Sequence, residues 1–310
     1  MLSRVAESVF WMGRYIERTN CLLRILRTNY IAMQDQMKDA DWNSILYTYG
    51  FLQRNEVDAF QNDSKAILQY LMFDKDNDAS LINNITRSRE NAKAVQDHIT
   101  KEMWHALNGF YLLIREDGIE EQVRNGDPVS SLDALVKHGQ FLYGTVDITM
   151  ARGEAYNFLN IGRFIERLII VSTVLNSKLV ELSFNLQEAN ESDLRYLLYT
   201  FSGYELYLKS SHALLEPGLV IRQILYEQNF VHSIVYSLLR IERYFKRLFD
   251  ESIPESYEHV EYLIGKALTH LKYNACNVDD AQSVIKLLNE IRADLFEITD
   301  AFNKHYFGYN

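Results

Sequence analysis

The chain has 310 residues, 47% of them hydrophobic and 24% charged, and a formal net charge of −10. This is the composition of a folded globular protein and not of a disordered one, and its acidic balance argues against nucleic-acid binding. No apolar run approaches the ~20 residues that a membrane span needs, and three prolines with 13 glycines give little punctuation for strands and hairpins.

Helical periodicity dominates. Leu2, Val5, Val9, Met12, Ile16 and Leu23 recur at three-to-four-residue steps and predict a helix from Leu2 to about Met33. Further helices are predicted over 41–54, 64–73, 80–98 and 101–124. Asn125-Gly126-Asp127-Pro128 then supplies a glycine to end one helix and a proline to begin the next. The pattern continues over 129–148, 154–187, 192–210, 217–249, 255–274 and 279–306, with Pro254 and Asn277 as breaks. The expected fold is all-α, a single large helical bundle over 1–310. It has an internal pseudo-repeat, near 1–125 and 129–249, and a C-terminal helical hairpin over 255–306. Cys21 and Cys276 form no CxxC pair and no metal set, which points to a reducing compartment. The opening segment, with Arg4 and Glu7 in an amphipathic pattern, does not read as a signal peptide, so the expected location is cytoplasmic.

The pseudo-repeat rests on two near-identical hexamers, Gly13-Arg14-Tyr15-Ile16-Glu17-Arg18 and Gly162-Arg163-Phe164-Ile165-Glu166-Arg167. On a helix, Arg4, Glu7, Trp11, Arg14 and Arg18 share one stripe, with Val5, Val9, Met12 and Ile16 roughly opposite. Arg152, Tyr156, Arg163 and Arg167 form the matching stripe of the second copy. A helix-interior glycine costs about 1 kcal/mol relative to alanine, so Gly13 and Gly162 require a packing reason. If the two helices cross at these glycines, Arg14 meets Arg163 and Glu17 meets Glu166 around a pseudo-twofold axis. Converging guanidinium groups need carboxylates or an anion between them, and their planar fork suits carboxylate or phosphate. The same residues also fit a plain solvated helix face, where such pairs contribute a few tenths of a kcal/mol each. A third echo, Arg240-Ile241-Glu242-Arg243-Tyr244, lacks the glycine.

A further charged cluster comprises Arg87, Arg89 and Glu90, followed by Trp104 and Asn108 at helical spacing. His98, Glu102 and His105 have metal-compatible spacing, but a di-iron bundle needs two Glu-x-x-His elements and only one is present. No metal is therefore expected. No P-loop, dinucleotide glycine pattern or nucleophile elbow occurs, so no cofactor is expected either. The Tyr-rich stretch 196–207 reads as helix seam or partner surface.

Three stretches resemble one family. Leu2 to Glu7 with Trp11 to Arg18 is similar to the opening signature of the bacterial alpha-E domain proteins. Arg89-Glu90-Asn91-Ala92, with Glu102-Met103-Trp104 and Leu107-Asn108, resembles its second block, and Gly162 to Arg167 its third. The resemblance covers almost the whole chain. It implies an all-helical protein whose genes neighbour a circularly permuted ATP-grasp ligase and a transglutaminase-like protein, sometimes with a proteasome-related peptidase. The implied role is a helical component of an amide-ligation, peptide-synthesis or protein-tagging system. It would bind an anionic peptide, amino acid or phosphorylated intermediate through Arg4, Arg14, Arg18, Arg87, Arg89, Glu90, Trp104, Asn108, Arg152, Arg163 and Arg167. Two alternatives stand beside it. One is an independent amide-forming or hydrolytic enzyme with Glu7, Glu17 or Glu166 as acid or base. The other is a scaffold whose Arg/Glu networks only fix helix register. The chain departs from the family pattern where Phe230-Val231-His232-Ser233 stands for a Pro-Arg-Ser stretch. His232 replaces an arginine donor there only if protonated or differently placed.

Overall fold

A computed structural model describes residues 1–35, 41–211, 214–249 and 254–308, and among them every regular element is a helix. The helix starts are encoded locally. Asp63, Ser80, Thr100, Asp127, Asn190, Ser233 and Asp280 each accept a backbone N–H of the helix that follows. Such a cap contributes about 1 kcal/mol relative to alanine.

The described contacts gather into two compact units, 1–14 with 152–310, and 15–151. The first helix, α1 (Ser3–Gln34), gives its residues up to Arg14 to the first unit and the remainder to the second.

The second unit continues with α2 (Asn43–Ile45) running into a π-turn at Leu46–Gly50, then α3 (Arg54–Ala59) and α4 (Ser64–Phe73). It ends with α5 (Leu81–Ala94), α6 (Lys101–Ile114), α7 (Asp117–Asn125) and α8 (Pro128–Thr149). Here α6 packs between α5 and α8, and α7 between α4 and α8. Leu107, Phe110, Leu132, Leu135 and Leu142 are fully buried in this layer.

The first unit contains α9 (Glu154–Glu181), α10 (Glu191–Thr200), α11 (Tyr204–Ser211), α12 (Pro217–Tyr226), α13 (Ile234–Phe245), α14 (Pro254–Tyr273) and α15 (Ala281–Phe302). Helix α9 packs on α13 and α15, and α14 and α15 pair as a hairpin. The core centres on Phe302, whose ring lies 5.8 Å from Phe10, 5.8 Å from Phe245 and 6.4 Å from Phe158.

Several expected helices are shorter than the sequence periodicity suggests. The 101–124 helix breaks at Arg115 and Glu116, where Glu116 turns extended just before Asp117-Gly118. The 154–187 helix stops at Glu181, with Ser183 and Phe184 in left-handed backbone. The 192–210 helix divides at Ser202, also left-handed, and the 217–249 helix at the Glu227–Ser233 loop. The 41–54 segment forms only one short helix and the π-turn before Phe51 reverses the chain with φ 55°. Asp117-Gly118, Ser202-Gly203 and Glu227-Gln228-Asn229 are the local turn sequences at three of these points, whereas Leu182-Ser183-Phe184 carries neither glycine nor proline.

The two repeated glycines face each other's helix. A Cβ on Gly13 would lie 2.1 Å from the Leu159 carbonyl oxygen, and one on Gly162 would lie 2.2 Å from the Phe10 carbonyl oxygen. Each glycine thus meets the residue three positions before the other, a reciprocal contact of backbone on backbone. Only a missing side chain allows it. Gly13→Ala and Gly162→Ala are expected to destabilise by about 1–3 kcal/mol through overpacking, despite alanine's better helix propensity. At Gly109 a Cβ meets nothing within 4 Å, so Gly109→Ala is expected to stabilise by about 0.5–1 kcal/mol. Denaturation midpoints of the three variants check this; equal effects of one sign at all three positions would contradict the close-approach account.

Candidate functional site

The charged stripe on α1 turns inward where the glycines meet. Arg14 lies across Gly162, where a Cβ would sit 3.3 Å from Arg14 Cγ. From there Arg14 Nε donates to Glu166 Oε2 at 2.8 Å, and the Trp11 ring lies 4.5 Å from the guanidinium carbon. The two side chains are 9% and 3% exposed. A pair this buried gains Coulomb energy at a large desolvation cost, so removing one partner is more harmful than the pair is stabilising. Arg14 therefore meets a carboxylate of the other hexamer.

Other residues of the second hexamer are also engaged. Arg167 is buried, donates Nη1 to the Val231 carbonyl at 3.0 Å and lies 4.8 Å from the Phe164 ring. Arg163 is half-buried with its guanidinium carbon 5.4 Å from the same ring. The first hexamer repeats part of this: Arg18 lies 5.5 Å from the Tyr15 ring. The aromatic position shared by the two copies is thus a seat for the last arginine of each. His232 is buried edge-on to Phe230, and its neighbour Val231 supplies the carbonyl that Arg167 uses. Arg152 is exposed and lies on the Tyr156 ring at 4.2 Å; Arg4 is exposed and Glu7 half-buried.

Glu17 has no exposed surface and accepts the Tyr143 hydroxyl and, at 3.3 Å, the Cys21 thiol. Arg24 Nη2 in turn donates to Cys21 Sγ at 3.1 Å. Neither Tyr143 nor Cys21 lies in a repeated or charged motif, so the sequence does not single them out; only the i, i+4 spacing of Glu17 and Cys21 hints at the second contact.

A different cluster stands at the surface between α5 and α6. Arg89 Nε donates to Asn108 Oδ1 at 2.8 Å, and Nη1 to Glu90 Oε1 at 3.0 Å. Its guanidinium carbon lies 5.4 Å from the Trp104 ring and 4.7 Å from the Tyr111 ring. The sequence pattern groups Arg89, Glu90, Trp104 and Asn108, and they do meet. It omits Tyr111, one helical turn beyond Asn108 and two beyond Trp104 on the same face. Arg87, grouped with them in sequence, points elsewhere and pairs with Asp78. The Arg89 side chain is 25% exposed and that of Glu90 56% exposed, so this guanidinium is fixed in orientation yet reachable from solvent.

His98, Glu102 and His105 are exposed. Among the described residues no group of three or more His, Cys, Asp or Glu is arranged to hold a metal ion. No helix among them is long and apolar enough to cross a membrane.

A family model matches residues 1–307; it is described as Alpha-E, a predicted alpha-helical domain with a conserved ER motif. The chain belongs to the Alpha-E family. No curated protein and no solved structure matches it. Glu-Arg pairs occur in this Alpha-E chain at 17–18, 166–167 and 242–243. In the first two the glutamate is buried inside a hydrogen-bond network, whereas Glu242 makes an i, i+4 pair with the exposed Lys246. The two hexamer copies thus share a buried acid, and the third echo is a helix-surface pair.

Two outcomes are expected. Arg14→Lys keeps a charge but loses the planar fork and its stacking on Trp11, and should lower stability by roughly 1–3 kcal/mol; a melting curve like that of the parent would show that the guanidinium geometry is immaterial. Elemental analysis of the purified protein should find no stoichiometric iron, manganese or zinc, and an ion lost on His105→Ala would reverse that view.

Proposed function

We propose that this Alpha-E chain is a helical binding component of an ATP-grasp-linked amide-ligation, peptide-synthesis or protein-tagging system. It holds an anionic peptide, amino acid or phosphorylated intermediate for a ligase partner. The observation that carries the reading is Arg89. Asn108 and two aromatic rings fix its plane, and an exposed carboxylate, Glu90, already occupies one edge. An incoming carboxylate or phosphate needs only to displace Glu90, whose side chain is free to swing into water. Pre-orientation lowers the ordering cost of binding, and a charge-assisted contact of this kind contributes roughly 1.5–3 kcal/mol. The partners proposed, a circularly permuted ATP-grasp ligase and a transglutaminase-like protein, are those that the sequence resemblance implies. The chain's sequence offers no nucleotide-binding motif of its own, which favours ATP chemistry on the partner.

The scaffold reading applies to a different part of the molecule. Arg14 and Glu166 neutralise one another in the interior at a glycine-lined crossing, and that arrangement serves register more readily than ligand capture. Glutamate acid–base chemistry at Glu166 is disfavoured by the same guanidinium.

The test combines purified chain, neighbouring ligase, ATP and amino acids. Ligation should depend on the chain. Arg89→Gln should lower it at least about tenfold with a melting temperature close to the parent's. Ligation that proceeds equally without the chain, or that is indifferent to Arg89→Gln, would sink the reading.

A further inference from the structure

Tyr111 is shared by two arginines. Arg115, four residues along at the C-terminal end of α6, places its guanidinium carbon 5.1 Å from the Tyr111 ring, and Arg89 places its own 4.7 Å from that ring. Arg115 is exposed, and among the described residues it makes no ion pair, although Glu116 and Asp117 follow it in the chain. Arg89 uses Nε on Asn108 and Nη1 on Glu90, and among the described residues Nη2 makes no hydrogen bond. Two guanidinium groups against one phenol ring repel each other, so the patch is electrostatically incomplete with Glu90 as its sole paired carboxylate. The end of α6 favours a cation at Arg115 and offsets only part of its charge.

Deepening the anion-binding reading above, on which it rests, we infer that Arg89, Tyr111 and Arg115 form one recognition site for an acidic peptide that presents two carboxylates. Two guanidinium carbons at 4.7 and 5.1 Å from a common centroid lie less than about 10 Å apart. Side chains i and i+2 of an extended peptide project from one face about 7 Å apart. A Glu-x-Glu segment therefore reaches both arginines at once, and its methylene groups pack on the Tyr111 and Trp104 rings. A single carboxylate or a lone phosphate satisfies one arginine and leaves the other as it is. Tyr111 acts as the spacer that sets the distance between the two charges.

The experiment titrates the full chain with an N-acetylated, C-amidated Glu-Ala-Glu tripeptide, with its Glu-Ala-Gln counterpart, and with inorganic pyrophosphate. Calorimetry and Trp fluorescence read the binding. The diacid should bind roughly tenfold more tightly than the monoacid. Arg115→Gln should erase that ratio and leave the monoacid affinity unchanged, while Arg89→Gln weakens both peptides. Arg115 is exposed, so its variant should fold normally, and Arg115→Lys should retain part of the ratio. A ratio unaffected by Arg115→Gln overturns the two-carboxylate site while leaving the Arg89 reading intact. Pyrophosphate binding more tightly than the diacid, with loss on Arg115→Gln, overturns the peptide class. Peptide affinities indifferent to Arg89→Gln overturn the underlying anion-binding reading as well as this inference.

Discussion

Two helix backbones touch where a glycine of each meets a carbonyl of the other, and the charge arrangement of the first unit depends on that contact. Gly13 and Gly162 let α1 and α9 approach until each would-be Cβ falls on the other helix's carbonyl oxygen. At that separation Arg14 passes over Gly162 and reaches Glu166 from one helix to the other. A wider crossing would hold the two groups apart and leave each charge buried alone, at a cost of several kcal/mol. The glycines and the ion pair are therefore one device. The backbone contact sets the distance, and the salt bridge rejects any other register, because sliding by one residue would bury unpaired charges.

The arginines divide by how much freedom the fold leaves them. Arg14 and Arg167 are buried and hold a carboxylate and a backbone carbonyl. Their bonds are internal, and their contribution is to uniqueness of packing. Arg89 and Arg115 sit at the surface on aromatic rings, oriented by their supports and open on one side. Aromatic seating recurs at both kinds of position, since a guanidinium plane is weakly hydrated and stacks well. What distinguishes a candidate binding group is access, and access is a property of the neighbouring helices that no single motif encodes.

That distinction explains what is legible in the sequence. The helix over 64–73 is readable to the residue because Asp63 caps it and a buried apolar run fills it. The glycine pair is readable because a helix-interior glycine carries a cost that only close approach offsets. Arg89 with Asn108 and Trp104 is readable because their spacing puts them on facing helical stripes. The partner of Arg14 is readable in part: converging arginines call for carboxylates between them, and Glu166 of the other copy is the carboxylate that Arg14 meets. Tyr143 and Cys21 beside Glu17, and Arg115 beside Tyr111, stand outside the motifs that the sequence singles out. Tyr143 depends on how α8 lies along α1 within the second unit, whereas Cys21 stands one turn from Glu17 on α1 itself. Arg115 follows Tyr111 by one helical turn, and its place at a helix end becomes clear only once Asp117-Gly118 is read as the break.

The claim that backbone approach and ion pair act as one device is tested most directly by a double-mutant cycle. Arg14→Met, Glu166→Leu and the double variant are compared with the parent by chemical denaturation. The account predicts that each single change destabilises by about 3–5 kcal/mol and that the double change costs far less than their sum, with a coupling above about 2 kcal/mol. Two single costs that simply add would show that Arg14 and Glu166 do not depend on each other, and would contradict the account.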